Sequence, residues 1–301
     1  MMNEELKKQL RNRRICVVIP TYNNDKTIKT VVEKCLLYCD DVIVVTDGCT
    51  DRTTDILHAI DGITIVSYAQ NRGKGYALKI GFRKALEMGF SYAITLDGDG
   101  QHYPEDIPLF LKANQQHPQS LIIGSRQLEG VDRSKGSSFA NKFSNFWFYV
   151  QTGRALPDTQ TGYRLYPLHR LHGLSLLTSR YEAELELLVF ASWHGVKLVP
   201  IPVQVYYPPR NERVSHFRPG KDFARISVLN TVLCFLAVVY GLPLRLWRAL
   251  MTILRTVYSL LFFLFFTLVV FTPFVWIYTK FGKMTERRRY RLHQLIYHAS
   301  R

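Results

Sequence analysis

The sequence of 301 residues predicts a doubly wound α/β domain followed by a membrane anchor. Between residues 15 and 125, short apolar runs alternate with amphipathic stretches, which is typical of parallel strands covered by helices on both faces. Polar clusters follow three of these runs, and a long uncharged stretch lies near the C-terminus. The first two observations predict the sheet and the edge that carries its site, and the third predicts attachment to a bilayer.

The predicted strands are short and apolar almost throughout, as expected for strands buried on both faces. They are Ile15–Ile19, Val42–Thr46, Ile63–Tyr68, Tyr92–Leu96 and Leu121–Gly124. The predicted helices between them cover residues 26–39, 52–60, 74–88 and 104–116. Residues 126–206 are less regular, with a predicted helix at 182–194 and a predicted strand at Leu198–Tyr206.

The composition is that of a folded protein with excess positive charge. Hydrophobic residues make up 47% of the chain and charged residues 21%, which excludes global disorder, and the formal net charge is +15. A basic tail, Lys280–Arg301, directly follows the uncharged stretch, which favours an anionic membrane surface as the partner. No zinc-finger spacing or RNA-recognition signature occurs, so we expect no nucleic-acid binding. The five cysteines include no Cys-x-x-Cys pair, and the charged N-terminus is not a signal peptide, so we expect a reducing, cytosolic setting.

Two apolar stretches predict the anchor. Thr256–Tyr278 is 23 residues long and carries no charge, which is sufficient to cross a bilayer. Ile226–Leu244 is interrupted by Gly241 and Pro243, and it either crosses the membrane or lies in its interface. We expect a hairpin with both ends in the cytosol. The predicted organisation is a basic N-terminal segment (1–14), an α/β domain (15–225), an anchor of one or two transmembrane helices (226–279) and a basic cytosolic tail (280–301).

The polar clusters stand where three predicted strands end. Pro20-Thr21-Tyr22-Asn23 follows the first strand, Asp47-Gly48 the second and Asp97-Gly98-Asp99 the fourth. Because ligands bind at the carboxyl ends of parallel strands, we expect these clusters to converge on one site. Two carboxylates one residue apart suit a hard divalent cation that shares its ligands with a diphosphate, and Gln101 and His102 could add a ligand or a hydrogen bond. An isolated Asp-x-Asp can equally be a solvated acidic turn.

Four motifs occur in a fixed order: VVIPTYNN, VVTDGCTDRT, NRGKGYALKIGF and TLDGDGQHYPEDIP. Together they resemble the family-2 inverting glycosyltransferases of GT-A fold, and within that family the dolichol- or polyprenyl-phosphate sugar synthases. The resemblance covers residues 14–225. It implies a Rossmann-like mixed sheet with helices on both faces, a nucleotide-sugar donor, Mg2+ or Mn2+ as cofactor, and a lipid acceptor.

The resemblance also implies roles for individual residues on the donor side. Those expected to bind the nucleotide sugar are Pro20, Thr21, Tyr22, Asp47, Asn71, Lys74 and Asp97. Those expected to bind the metal are Asp97, Asp99 and Gln101. One departure is Thr46, which stands where the family often has an acid before Asp47, and this leaves the choice of donor base open.

On the acceptor side, Asp158 in DTQTGYRLY matches the position of the catalytic base, and Arg164 matches a supporting or acceptor contact. Asp158 could instead only cap a loop. Arg126, in a Gly-Ser-Arg turn, is expected to face the acceptor phosphate unless it is simply a surface arginine. Three further residues, Arg213, His216 and Arg218, are expected to meet the donor diphosphate and the lipid phosphate, because arginine suits phosphate oxygens. Attraction to the membrane surface alone would need only their charge.

Two other features have weaker implications. Glu182 and Glu184 stand at a predicted helix start, where the helix dipole favours acids, so a structural role competes with a catalytic one. The C-terminal segment resembles the lead-in of a lysophospholipid acyltransferase domain, but it lacks the His and Asp signature of those enzymes and cannot support acyl transfer by itself.

The sequence therefore predicts a hexosyltransferase of the cytoplasmic membrane with a cytosolic catalytic domain. We expect inverting transfer from a GDP-mannose or UDP-glucose type donor to polyprenyl phosphate. Two alternatives remain open at this point: transfer to a glycerolipid or sphingolipid hydroxyl, and a non-catalytic membrane protein with a degenerate transferase fold.

Overall fold

A computed structural model of the chain describes residues 2–126, 135–171, 173, 176–206 and 219–299. The chain divides into two compact units, Met1–Leu244 and Arg245–Arg301. The first unit contains the whole sheet and the helices packed on it, and the second is helical.

Seven strands form a single sheet in the first unit: β1 (Ile15–Thr21), β2 (Val42–Asp47), β3 (Ile63–Tyr68), β4 (Tyr92–Thr95), β5 (Leu121–Arg126), β6 (Arg164–Pro167) and β7 (Leu198–Val203). The helices up to the end of that unit are α1 (Met2–Asn12), α2 (Ile28–Tyr38), α3 (Thr53–His58), α4 (Lys74–Glu87), α5 (Ile107–Gln116), α6 (Lys135–Thr152), α7 (Leu168–Leu171), α8 (Glu182–Trp193) and α9 (Pro219–Leu236). A 3-10 turn, Pro104–Asp106, precedes α5. The remaining helices are α10 (Leu242–Phe266) and α11 (Thr272–Ala299).

The sheet is mixed, with strand order β3-β2-β1-β4-β6-β5-β7. All neighbouring strands are parallel except at β6, which runs antiparallel to both β4 and β5. This confirms the mixed α/β sheet expected from the resemblance. The sequence did not identify β6, because its four residues include an arginine and lack the apolar run that marked the other strands.

Two apolar clusters, one on each face of the sheet, form the core. Cys16 and Val18 of β1 point into one cluster, whose helical residues come mainly from α8 and α4, with smaller contributions from α6, α7 and α9. Val17 and Ile19 point into the other, which contains residues of α2 and α5. Successive strand residues therefore bury opposite faces, which explains why the strands are apolar throughout instead of alternating with polar residues.

Within the described part of residues 126–206, the sequence did not predict helix α6 or the four-residue helix α7. The sequence of α6, KGSSFANKFSNFWFYVQT, is rich in aromatic, Ser and Asn residues, which have modest helix propensity. Its helical signal lies in the three-to-four spacing of Phe139, Phe143, Trp147 and Val150. The predicted strand Leu198–Tyr206 is present as the shorter strand β7.

The two apolar stretches near the C-terminus lie in one helix, Ala224–Arg291, of 68 residues, which is long and apolar enough to cross a membrane. The expected hairpin is not formed, because residues 226–278, all of which the structure describes, continue as helix with no turn between the two stretches. Gly241 and Pro243 do not end the helix. A π-helical turn, Ala237–Gly241, precedes Pro243, and a second, Thr267–Phe271, precedes Pro273. Each turn contains the carbonyl that the proline would otherwise meet four residues back, so the helix continues past both prolines.

Candidate active site

The ends of β1, β2 and β4 meet at one edge of the sheet, where these three strands are neighbours. Thr27 Oγ1 donates to Gly98 O at 2.7 Å, which ties the segment after β1 to the loop after β4. A side chain on Gly98 would approach Thr21 Oγ1 to 2.8 Å, so only glycine fits between these loops. The predicted convergence of the polar clusters is therefore present in the structure. Pro20 and Thr21 are buried there, and Tyr22 is half-buried.

Asp47, at the end of β2, uses both carboxylate oxygens to hold the following loop. The backbone N–H groups of Arg72 and Gly73 donate to its Oδ1 and Oδ2, at 2.7 and 2.8 Å. Asp47 is buried. It therefore positions the NRGKG loop, which carries the predicted donor-binding residues Asn71 and Lys74.

Lys74 is the centre of a charge cluster in which Glu184 is buried and Lys74 and Asp97 are half-buried. Its Nζ lies 2.7 Å from Asp97 Oδ1 and 2.8 Å from Glu184 Oε2. Burial alone would lower the pKa of Lys74, but the charges of Asp97 and Glu184 raise it well above its usual value. Burial would likewise raise the pKa of Asp97, but the charge of Lys74 holds that pKa below its usual value. Lys74 is therefore a fixed cation and Asp97 a fixed anion near neutral pH.

The pKa of Asp99 is shifted in the opposite direction to that of Asp97. Burial and the nearby charge of Asp97 raise the pKa of Asp99 to about 6. Its Oδ1 accepts a hydrogen bond from the backbone N–H of Gln101 at 3.0 Å, which fixes the direction of the carboxylate. Two half-buried carboxylates that oppose each other's ionisation are the arrangement that a divalent cation stabilises.

His102 adds an uncharged imidazole ring to the same loop. Burial lowers its pKa to about 4, so the ring is uncharged near neutral pH. Its Nδ1 is buried and has no hydrogen-bond partner within the described part of the chain. Among the described residues, no cluster of three His, Cys, Asp or Glu side chains forms a complete metal cage. The residues thus fit Mg2+ or Mn2+ held by Asp97 and Asp99, with Gln101 and His102 close by and the remaining ligands supplied by a substrate diphosphate.

The DTQTGYRLY segment borders this cluster directly. A side chain on Gly162 would come within 2.6 Å of Lys74 Nζ and 2.8 Å of Asp97 Oδ2. Thr95 Oγ1 donates to Gly162 O at 2.7 Å, which anchors the segment to β4. The glycine of this motif therefore allows the backbone to pass against the charge cluster.

Asp158 and Arg126 form an ion pair at the same edge. Arg126 Nε and Nη2 donate to Asp158 Oδ2 and Oδ1, at 2.7 and 3.0 Å. Asp158 also accepts from the backbone N–H groups of Arg126 and Gln160, and it is 1% exposed. The structure brings together a predicted base and a predicted phosphate contact, and it uses the first to orient the second.

Two roles were expected for Arg164, a supporting contact and an acceptor contact, and its position favours the supporting one. It is 0% exposed, and its guanidinium donates to Glu184 O and Thr159 O, both at 2.9 Å, and to Tyr166 Oη at 3.2 Å. Because these partners lie in the interior, Arg164 positions the start of α8 and the loop before β6. The predicted residues Arg213, His216 and Arg218 lie outside the described residues.

Glu184 is the site residue whose partner the sequence could not reveal. Its Oε1 is buried and has no hydrogen-bond partner among the described residues, while Oε2 holds Lys74. The only signal was an acidic run, RYEAELE, at the start of an otherwise apolar helix. Buried acids at such a position need a cation, and α4 supplies it.

Comparisons with known proteins agree with this geometry. The model of the family described as Glycosyl transferase family 2 matches residues 16–166. The chain is 29% identical over 216 residues to UDP-N-acetylglucosamine--dolichyl-phosphate N-acetylglucosaminyltransferase of Methanococcus voltae, a match that covers 64% of this chain and 86% of that protein. It is also 29% identical over 208 residues to polyprenol monophosphomannose synthase of Mycolicibacterium smegmatis, with 64% and 77% covered.

Among solved structures, the chain is similar to glucosyl-3-phosphoglycerate synthase of Mycobacterium tuberculosis, determined with Mn2+, uridine diphosphate and glucosyl-3-phosphoglycerate. The TM-score is 0.59 at 19% identity, and the match covers 78% of this chain and 83% of that one. At this identity the match speaks for the fold alone. The fold, the order of the motifs and the family match agree: the chain belongs to glycosyl transferase family 2 and is a glycosyltransferase.

Proposed function

We propose that this protein transfers a hexose from a nucleotide-diphosphate sugar to a polyprenyl phosphate, with inversion at the anomeric carbon. The observation that carries the proposal is the half-buried charge cluster of Lys74, Asp97 and Asp99 where three strand ends converge. The relatives named for transfer to dolichyl phosphate and for polyprenol monophosphomannose synthesis support the lipid acceptor.

On the donor side, the strand-end loops form the nucleotide pocket. Pro20, Thr21 and Tyr22 would border the base and ribose, and Asp47 would act through the loop that it holds. Asp97 and Asp99, with Gln101, would hold Mg2+ or Mn2+, which would neutralise the diphosphate as the glycosyl bond breaks. Lys74 keeps Asp97 ionised and directed into the site, so that the loop is preorganised before the donor arrives.

On the acceptor side, the state of Asp158 favours a phosphate over a hydroxyl. A hydroxyl acceptor needs a free base to take its proton, whereas a phosphate is already ionised near neutral pH. Within the described residues, Asp158 accepts four hydrogen bonds, three of them from Arg126, and it is almost fully buried. Its proposed role is to aim Arg126 at the acceptor phosphate, since arginine forks match phosphate oxygens.

The proposed location is the cytoplasmic membrane, with the first unit in the cytosol. The helix Ala224–Arg291 would supply the anchor, because it is long and apolar enough to cross the bilayer. All five cysteines are free thiols, as suits a reducing compartment. The donor is proposed to be of GDP-mannose or UDP-glucose type.

A donor screen tests the function. Membranes containing the full chain are incubated with labelled nucleotide sugars, Mg2+ or Mn2+, and polyprenyl phosphate, and the lipid-extractable product is identified by mass spectrometry. We expect one donor to label the lipid and mild acid to release the sugar, because a polyprenyl phosphosugar is acid-labile. An acid-stable glycolipid would indicate a hydroxyl acceptor instead, and no labelled lipid with any donor would refute the proposal.

A further inference from the structure

Helix α6 has an exposed face that the proposed chemistry does not use. This aromatic face consists of Phe139, Phe143, Phe146, Tyr149 and Val150, which recur every three or four residues. Phe139, Phe146 and Tyr149 are 62%, 57% and 56% exposed. Large aromatic side chains are normally buried, and a run of them on one side of a helix marks a surface that contacts something other than water.

The opposite side of α6 holds the loop that carries Asp158. Ser144 and Asn145 accept hydrogen bonds from Thr159, and Asn145 Nδ2 donates to Pro157 O at 2.8 Å. Helix α6 thus contacts the loop of Asp158 on one side and presents the aromatic face on the other side. Whatever the aromatic face contacts is therefore mechanically connected to the acceptor side of the site.

Helix α9 packs beside α6 within the same compact unit. Buried Gln151 of α6 donates to Asn230 Oδ1 of α9 at 3.0 Å, and α6 also contacts the π turn that follows α9. The outer side of α9 is apolar and exposed at Val228, Val232 and Phe235. This helix belongs to the run Ala224–Arg291, which is long and apolar enough to cross a membrane.

We propose that the aromatic face of α6 lies in the lipid interface and holds the Arg126–Asp158 pair beside the headgroups. Two observations and the nature of the proposed acceptor favour lipid over a protein partner. Phe and Tyr with an exposed Lys142 on the same side are the composition of an interfacial helix. The neighbouring α9 leads directly into the apolar helix. The proposed acceptor also has its phosphate at the depth of the headgroups, so the proposal rests on the proposed function.

Membrane depth can be measured without reference to activity. The full chain carrying Cys49→Ser and Cys234→Ser is given one new cysteine, at Phe146 or at Leu37 of α2, labelled with a nitroxide and reconstituted into phosphatidylcholine–phosphatidylglycerol vesicles. Leu37 is the matched control because it is 55% exposed but lies on a different helix. We expect the label at 146 to collide with oxygen and to be shielded from a water-soluble nickel chelate, and the label at 37 to show the reverse. Equal exposure of both labels to the chelate would overturn the proposal, and so would shielding of position 146 from both reagents, which indicates a protein partner or a second copy.

Kinetics test the connection to the acceptor. In Phe139→Asp/Phe146→Asp, transfer to long-chain polyprenyl phosphate in vesicles should fall at least about tenfold, the effect expected when an aromatic ring is lost from lipid. Transfer to a short-chain, water-soluble prenyl phosphate should change less than about twofold, and Leu37→Asp should affect neither. Equal loss with both acceptors, or no loss with the long one, would overturn the membrane role of α6. Absence of transfer by the wild type to either acceptor would refute the proposed function instead, and the depth measurement would still decide on α6.

Discussion

Arg126 and Asp158 bind each other through two parallel hydrogen bonds, Nε to Oδ2 at 2.7 Å and Nη2 to Oδ1 at 3.0 Å. The backbone N–H of Arg126 also donates to Asp158 Oδ2. A carboxylate enclosed in this way is a poor proton acceptor for a substrate but an effective guide for a guanidinium. This relationship separates a base from a positioning residue, and the two roles predict different kinetics.

A double-mutant cycle on this pair is the first prediction. Asp158→Asn should lower kcat/KM for the acceptor by about thirtyfold to a few thousandfold, because a buried charge pair loses about 2–5 kcal/mol when one partner is removed. Arg126→Ala should produce a similar loss, and the double variant should lose little more than Arg126→Ala alone. A general base would instead give losses in kcat that multiply when the two changes are combined. Steady-state kinetics with varied acceptor distinguishes the two outcomes.

The metal site gives the second prediction. Asp99→Asn should abolish transfer while the thermal unfolding of the protein changes little, because Asp99 is engaged only by the backbone of its own loop among the contacts that the structure gives. A chelator should inactivate the wild type, and added Mn2+ or Mg2+ should restore it but not the variant. Asp55→Asn, an exposed acid on α3, is the control and should retain full activity. Turnover by Asp99→Asn near the wild-type rate would contradict the metal assignment.

Third, Gly162→Ala should impair transfer more than its size suggests. The added methyl group would lie 2.6 Å from Lys74 Nζ and 2.8 Å from Asp97 Oδ2, and neither atom can move without breaking their ion pair. We expect at least about a tenfold loss in kcat/KM for the donor, since displacements of about 1 Å in an active site have effects of this order. Gly220→Ala, with open space around it, should have little effect. Donor binding by calorimetry provides a second readout.

The pH dependence of stability gives a fourth prediction, centred on Lys74. Because the pKa of Asp97 is lowered, its ion pair with Lys74 contributes its full stabilisation above the ordinary pKa of 3.8. This stabilisation is lost as pH falls through the lowered pKa. Because the pKa of Lys74 is raised, the stabilisation from its positive charge is complete below the ordinary pKa of 10.5. It is lost as pH rises through the raised pKa. Lys74→Met should therefore destabilise the protein by about 3–5 kcal/mol at pH 7, because it removes the cation from the buried Glu184 and the half-buried Asp97. The difference from the wild type should shrink at an acidic pH below the ordinary value of 3.8, as the pH falls through the lowered pKa of Asp97.

Thermal unfolding in detergent at both pH values measures this difference. Lys79→Met, an exposed lysine on the same helix, should change stability little at either pH. A loss of stability that is the same for Lys74→Met at neutral and acidic pH would contradict the role of the ion pairs.

The sequence predicted the parts of the site that depend on local pattern. Apolar runs located β1, β2 and β4, and the residues that follow them converge because parallel strands end at one edge. The contacts between distant segments were not predictable in this way. Glu184 pairs with Lys74 only because the start of α8 packs against the start of α4, and no local pattern encodes that packing. Likewise, nothing adjacent to Arg164 in the sequence indicated that it would be enclosed by backbone carbonyls.

The last prediction concerns Arg164, whose burial distinguishes a structural from a catalytic arginine. Its guanidinium donates to Glu184 O from Nη1 and to Thr159 O from Nη2, and a lysine has only one nitrogen to offer these two carbonyls. Arg164→Lys should therefore lower the free energy of unfolding by about 2–4 kcal/mol, because a buried acceptor loses its partner. Transfer should fall as well, since α8 carries Glu184 and the 157–160 loop carries Asp158. Arg83→Lys, on the exposed side of α4, is the matched control and should change neither quantity. If Arg164→Lys abolished transfer at unchanged stability, the arginine would act on the substrate directly, and its enclosure by carbonyls would have to open during turnover.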